Sequence, residues 1–273
     1  MNFDPEMVRA FEHAGWQRAA ASYEDTFAHA TARYIAPLLE VAGITRGTRV
    51  LDVACGPGQL AGAAALRGAT VHGLDFSAAM VRIASRAHPD IRVMEGDAER
   101  MPCQDNTYDA VVSSFGMHHV PRPAMAFAEC RRVLVPGGRV GFTVWASPAE
   151  NTAWKLVFDA VARHGDQSAA QAFPPGGVLN SIDQCMRVLE GAGFTHAFAE
   201  IARADWILPD AEALVAALSA GTVRMAALLG AQTPSALSAI VADIGREAER
   251  YRKNGELAIP IAAILASGRK PSN

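Results

Sequence analysis

Between Arg49 and Trp145, short runs dominated by Val, Ile and Leu alternate with Ala-rich stretches whose apolar residues recur at helical spacing. Short, near-continuous apolar runs are what a parallel strand needs when helices cover both faces of its sheet. The pattern predicts strands over Arg49–Val53, Thr70–Leu74, Ile91–Glu95, Tyr108–Ser113 and Arg139–Trp145. It predicts helices over Gln59–Arg67, Ser77–Ala87 and Pro123–Leu134, with Ser77 as an N-cap and Gly137-Gly138 ending the last. Upstream, Pro5–Leu39 is Ala-rich with no strand-like alternation, which predicts two or three helices. Downstream come a helix over Thr152–Arg163, a turn at Phe173-Pro174-Pro175-Gly176-Gly177 and a helix ending at Gly191-Ala192-Gly193. A strand over His196–Ile207, two further helices and an apolar run from Leu257 to Ser267 complete the pattern.

At 273 residues, half of them hydrophobic and 19% charged, the chain has room for one α/β domain with a small cap. The expected organisation is N-terminal helices over residues 1–45, a ligand-binding core over 46–145, and the rest of the same domain over 146–273. A formal net charge of −3 offers no positive field for a phosphate backbone, so nucleic acid is not an expected partner. Cys55, Cys103, Cys130 and Cys185 lie far apart with no C-x-x-C pair, which signals neither zinc nor disulfides and fits a reducing compartment. Met1–Ala10 carries Asp4, Glu6 and Arg9 and has no signal-peptide core, and no apolar stretch reaches membrane-span length. The expected location is cytoplasmic, with no membrane partner. Oligomeric state is not legible.

The most informative segment is Val50-Leu51-Asp52-Val53-Ala54-Cys55-Gly56-Pro57-Gly58-Gln59-Leu60, an apolar strand that ends in a glycine turn and opens into a helix. Gly56 and Gly58 let the backbone approach a ligand, and the helix start offers unpaired N–H groups. A G-x-G turn also serves dinucleotides, with Gly62 as the third small residue, so its neighbours must decide. Asp52, at the strand end, suits a cationic amine or the glycine loop itself and would repel a pyrophosphate. Asp75, closing the next strand, suits both hydroxyls of a ribose, a role that dinucleotide enzymes share. Three more segments follow: Glu95-Gly96-Asp97-Ala98, Tyr108 to Val120 with Ser114, His118 and His119, and Val133 to Val140 around Gly137-Gly138. Imidazole titrates near neutrality, so His118 and His119 are candidates for a general base, His119 preferred.

These five segments, in this order, resemble the class I S-adenosylmethionine-dependent methyltransferases, in the broad group of the ubiquinone and menaquinone C-methyltransferases. The likeness is close over Arg46–Trp145 and holds in outline elsewhere. It implies a Rossmann-like, seven-stranded, mostly parallel sheet with the last strand antiparallel, helices on both faces, and a helical cap from the N-terminus and later insertions. It implies S-adenosylmethionine as cofactor, with S-adenosylhomocysteine as product, and a small-molecule acceptor methylated by in-line displacement without a metal. Carried over residue by residue, Asp52, Ala54, Cys55, Gly56 and Gly58 would meet the methionine part and Asp75 the ribose. Phe76 and Met80 would flank the adenine, Gly96, Asp97 and Ala98 would meet its edge, and Ser114 and His119 would lie near the sulfonium. Tyr23 resembles an N-terminal aromatic that closes over the cofactor, with Trp16 one helical face away. Phe173-Pro174-Pro175 and Trp145 are expected to line an acceptor cavity roofed by helices within Asp210–Arg252. A binding scaffold that transfers nothing and a nicotinamide-dependent oxidoreductase stay open as alternatives at this point.

Overall fold

A computed structural model describes residues 4–172 and 179–272, with side chains up to Ala169 and from Leu179 onward. Asp4 caps the first helix, α1 (Pro5–Tyr23), accepting from the Glu6 N–H at 2.9 Å, and Pro5 fills the first helical position, where no N–H is needed. Two short helices follow, α2 (Ala28–Thr31) and α3 (Ile35–Val41), so three helices precede the sheet.

The strand–helix alternation then runs as β1 (Arg49–Val53), α4 (Gln59–Leu66), β2 (Thr70–Asp75), α5 (Ala78–Ala87), β3 (Arg92–Glu95) and β4 (Tyr108–Ser114). Ser77 caps α5 by accepting from the Met80 N–H at 3.3 Å. The next pair departs from expectation. Helix α6 (Pro123–Val133) stops before the glycines, because Leu134 is already extended and pairs with Tyr108 to open β5 (Leu134–Trp145). Gly137-Gly138 is therefore a kink inside a strand, where Gly137 at φ +79° donates its N–H to Lys270 O at 3.0 Å. Ladder pairing on the tertiary scale outweighs the local glycine signal.

Beyond β5 lie α7 (Thr152–His164), α8 (Ile182–Gly191) and β6 (Thr195–Leu208). The turn expected at Phe173–Gly177 lies outside the described residues. Three α-helices follow β6, not two: α9 (Ala211–Gly221), α10 (Arg224–Gly230) and α11 (Pro234–Ala248), because extended backbone at Thr222 breaks the run and α9 and α10 meet at 114°. A two-residue ribbon, β7 (Arg252–Lys253), and β8 (Glu256–Arg269) close the chain. Among the described residues no single helix is long and apolar enough to cross a membrane.

The sheet order is β3-β2-β1-β4-β5-β8-β6; β8 runs antiparallel between β5 and β6, and β7 pairs with β8 alone. This is the seven-stranded arrangement with an inserted antiparallel last strand that the resemblance implies. Alternate residues of β1 enter opposite cores: Leu51 and Val53 pack with Phe127, Phe142 and Leu189, while Val50 packs with Leu38, Leu60 and Val112. Each such buried aliphatic side chain stabilises the fold by about 2 kcal/mol. Strand order reverses between β1 and β4, and the carboxyl ends of strands at such a switch point border a crevice.

Candidate functional site

The crevice is built first by backbone. After Val53 the chain turns through Ala54 at φ +56°, Gly56 at +54° and Gly58 at +91° into α4. Asp75 ties this turn down: the Gly56 N–H donates to its Oδ2 and the Ser77 N–H to its Oδ1, both at 2.8 Å. One carboxylate thus fixes the loop after β1 and the entry to α5. At the end of β4, Phe115 also sits at φ +56°, and Gly116 lets the two loops close, since a Cβ there would lie 2.4 Å from that of Ala54. Two non-glycine residues held left-handed at adjacent strand ends, at about 1–3 kcal/mol each, are strain of the kind that concentrates at functional sites.

These strand ends open on a cleft of about 990 Å³, its mouth included. Asp52, Ala54, Cys55, Gly56, Asp75, Phe76, Met80, Gly96, Asp97, Ala98, Ser114, His119 and Tyr23 all border it. Two residues from the sequence reading do not. Gly58 faces α5, where a Cβ would meet His88 at 2.8 Å, so it shapes the turn without bordering the cleft. His118 borders a neighbouring cavity instead.

The three acids differ in their surroundings. The Asp52 carboxylate is wholly buried, and neither oxygen has a partner at full hydrogen-bond geometry among the described residues. Burial, then the charge of Asp75, holds its carboxyl well above the usual range, with only a minor opposing contribution from the Ala61 amide. Burial pushes Asp75 up to about 6 against the pull of the Ser77 and Gly56 amides. Asp97 is more open: it accepts from the Glu99 N–H at 2.9 Å and from the Arg9 guanidinium. A carboxylate offers about four acceptor positions, so Asp97 keeps capacity for a further donor. Burial together with the charges of Asp75 and Asp52 raises the Cys55 thiol well above its ordinary value, which leaves it an inert wall.

Helix α1 lies across this cleft as its cover. The Gln17 side-chain oxygen accepts from Ser77 Oγ at 3.2 Å and the Ala79 N–H at 3.0 Å, and Arg9 bonds Glu99 at 2.8 Å as well as Asp97. Tyr23 turns inward, its hydroxyl 3.1 Å from Thr31 Oγ1 and pushed up to about 12 by burial. Trp16 sets its edge against Tyr23 and His119, with centroids at 5.9 and 5.0 Å.

His119 and Trp16 also border a second cavity of about 300 Å³, open to solvent, lined by Phe27, Trp145, Trp154 and Phe158 and roofed where α9 meets α10 by Thr222 and Arg224. Trp145 and the α9–α10 junction, which the sequence reading expected beside an acceptor, line this cavity. Phe173, Pro174 and Pro175 lie outside the described residues. Phe115 stacks on Trp145 at 4.1 Å, so the cleft and the cavity share an aromatic wall as well as His119. The two histidines, 4.1 Å apart, have different surroundings. Burial, then His119 and Arg224, drives His118 well below its ordinary value, so it is a neutral ring at working pH. His119 Nδ1 lies 2.9 Å from Oε2 of Glu12, a carboxylate with no exposed surface.

Sequence reasoning missed Arg9, Glu12 and Arg224. A usable signal existed for Glu12: in α1 the buried positions Val8, Glu12, Gly15 and Ala19 form one helical stripe, and a glutamate inside an otherwise small and apolar stripe calls for a partner. Among the described residues no group of three or more His, Cys, Asp or Glu could hold a metal ion.

Comparison with known proteins agrees with this geometry. A methyltransferase-domain sequence profile matches residues 51–142. The demethylmenaquinone methyltransferase of Renibacterium salmoninarum is 40% identical over 118 residues, 43% of this chain and 50% of that protein, so the chain spans about half the length of that relative. The demethylmenaquinone methyltransferase of Chlorobaculum tepidum is 42% identical over 164 residues, 56% of this chain and 67% of that protein. Among solved structures, the YcgJ protein of Bacillus subtilis superposes with a TM-score of 0.59 at 17% identity, covering 89% of this chain and all of that one, which speaks for the fold. With the sheet order, the acid-lined switch-point cleft and these relatives in agreement, the chain belongs to the class I S-adenosylmethionine-dependent methyltransferases.

Proposed function

We propose that the protein transfers a methyl group from S-adenosylmethionine to a small, largely apolar acceptor. One observation carries the reading. Asp52, Asp75 and Asp97, at or just beyond the carboxyl ends of three neighbouring strands, border one cleft whose cation, Arg9, is already bonded to Asp97 and Glu99. Such a lining suits a positively charged ligand rich in hydroxyl and amine donors and opposes a pyrophosphate. That disfavours the nicotinamide alternative.

The residues fit the cofactor on their own chemistry. Asp52 is a buried carboxylate in want of donors, suited to the α-ammonium group. Asp75 has acceptor capacity left after its two amide bonds, suited to the ribose hydroxyls. Phe76, Met80 and Ala98 offer apolar faces for a purine, and Asp97 an acceptor for its amino group. When bound, S-adenosylmethionine supplies an activated methyl group on a sulfonium centre. What the chain adds is orientation at near-attack distance and exclusion of water. Helix α1, pinned by Gln17 and Arg9, closes the cleft from above, and Ser114, Tyr23 and His119 border the side that meets the second cavity. The aromatic walls of that cavity suit an apolar acceptor.

The test is calorimetric titration of the full chain with S-adenosylmethionine and S-adenosylhomocysteine, with NADH as competitor. Saturable binding of both that NADH leaves unchanged is expected. A folded chain that gives no heat with either, or in which NADH competes, would overturn the reading.

A further inference from the structure

Glu12 ties helix α1 to the turn that carries His119. It is fully buried, one oxygen 2.9 Å from His119 Nδ1 and the other in an ion pair with Arg224, 2.8 Å from its Nε. Burial would raise its carboxyl, but His119 and Arg224 outweigh burial and hold it below the usual range, so it is a carboxylate. A carboxylate cannot donate. The hydrogen bond to His119 therefore requires the proton on Nδ1, which leaves Nε2 as the nitrogen with a free lone pair when the ring is neutral.

That ring sits at the junction of the two cavities: His119 borders the acid-lined cleft and the tryptophan-lined cavity, and so does Trp16, which meets the imidazole in a T-shaped contact at 5.0 Å. We infer that His119 takes a proton from the acceptor through Nε2 and that Glu12, itself set by Arg224, is the residue that positions His119 for this. The inference rests on the methyl-transfer reading above and adds a demand on the acceptor: its nucleophilic atom carries a removable proton, as a hydroxyl, an acidic carbon or a protonated amine does. In the step, the acceptor–hydrogen bond breaks and the Nε2–H bond forms. The released electron pair stays on the acceptor atom and bonds the methyl carbon, and the carbon–sulfur pair departs with sulfur as a neutral thioether. The proton then passes from the imidazolium to solvent, the Glu12 carboxylate having balanced its charge meanwhile.

The charged and titratable groups facing this ring or its cleft include Glu12, Arg9 and Tyr23 on α1, His118 in its own turn, Arg224 on α10, and Asp52, Asp75 and Asp97 at the strand ends. The experiment is long-range 1H–15N correlation of the histidine rings in the full-length chain saturated with S-adenosylhomocysteine, recorded over a pH series, with His119 assigned by its loss in H119Q. In the unsubstituted protein the neutral ring should carry its proton on Nδ1. In E12Q the preference for Nδ1 should weaken, because an amide can donate to that nitrogen as well as accept from it. A neutral ring protonated on Nε2, or an Nδ1 preference that E12Q leaves at full strength, would overturn the inference. If E12Q fails to fold, the tautomer in the unsubstituted chain decides alone. Calorimetry on the same sample separates the two ways of failing. Bound S-adenosylhomocysteine with the wrong tautomer removes this inference only, whereas absence of binding removes the methyl-transfer reading with it.

Discussion

Two pairs of buried acids in this molecule have opposite surroundings. In the cradle at the strand ends, Asp52 and Asp75 have no cationic side chain bonded to them among the described residues, and burial drives both upward. In the helical cover, Glu12 and Asp243 are buried as deeply, yet each is bonded by an arginine and approached by a histidine, and each is held below the usual range despite burial. Glu12 and Asp243 have cationic partners within the chain. Asp52 and Asp75 have none among the described residues, and a buried carboxylate without a cation costs stability that a charged ligand can offset.

Three measurements break or sharpen this contrast. The largest effect belongs to the cover. Glu12→Ala removes the carboxylate that Arg224 and His119 share, and urea unfolding should show a loss of about 3 kcal/mol, the low end for a buried pair because Arg224 is part-exposed and also lies over the Phe11 ring. A loss under about 1 kcal/mol would rank the network with ordinary surface bridges.

In the cradle the same kind of change should act on binding. Asp75→Ala should weaken S-adenosylmethionine about a hundredfold, two charge-assisted hydrogen bonds at about 1.5 kcal/mol each. Its pH dependence has a definite sign. The folded-state pKa of Asp75, about 6, lies above the ordinary aspartate value, so the unliganded protein gains stability from this group as pH falls through about 6. Ligand affinity moves the other way, falling as Asp75 protonates, and calorimetry across that window should find the slope flattened in Asp75→Ala. An unchanged affinity in this variant would misplace the ribose.

The smallest effect tests whether the cradle is held by backbone. Gly58→Ala puts a side chain at φ +91° and 2.8 Å from His88, which should cost about 1–2 kcal/mol of thermal stability. A neutral outcome would mean that the turn relaxes freely.

Much of the fold was legible because strand and helix periods are local. The short apolar runs gave each strand from β1 to β4 to within a residue at either end, and Ser77 announced its cap. The misreadings fall where pairing with distant chain overrides local preference: Leu134 was drawn into β5 by Tyr108 in β4, and the last helical stretch was divided at Thr222. The site divides in the same way. The acids and glycines of the cradle sit at strand ends, which a periodic pattern locates, and they border the cleft together, Gly58 excepted. Of the two histidines the sequence favours His119 only as a preference, because adjacent residues share every local signal.

The sequence by itself determined the alternation of strand and helix, the glycine turn after β1 and the row of acids at the strand ends, since each depends on neighbours a few residues away. Only the tertiary structure decided which acid meets which cation. His119 and Glu12 are 107 residues apart and Arg9 and Asp97 are 88, and both pairs exist because α1 folds back over the sheet. Local pattern fixes whether a side chain is buried; its partner there is set by packing between elements far apart in the chain, and no run of residues encodes that.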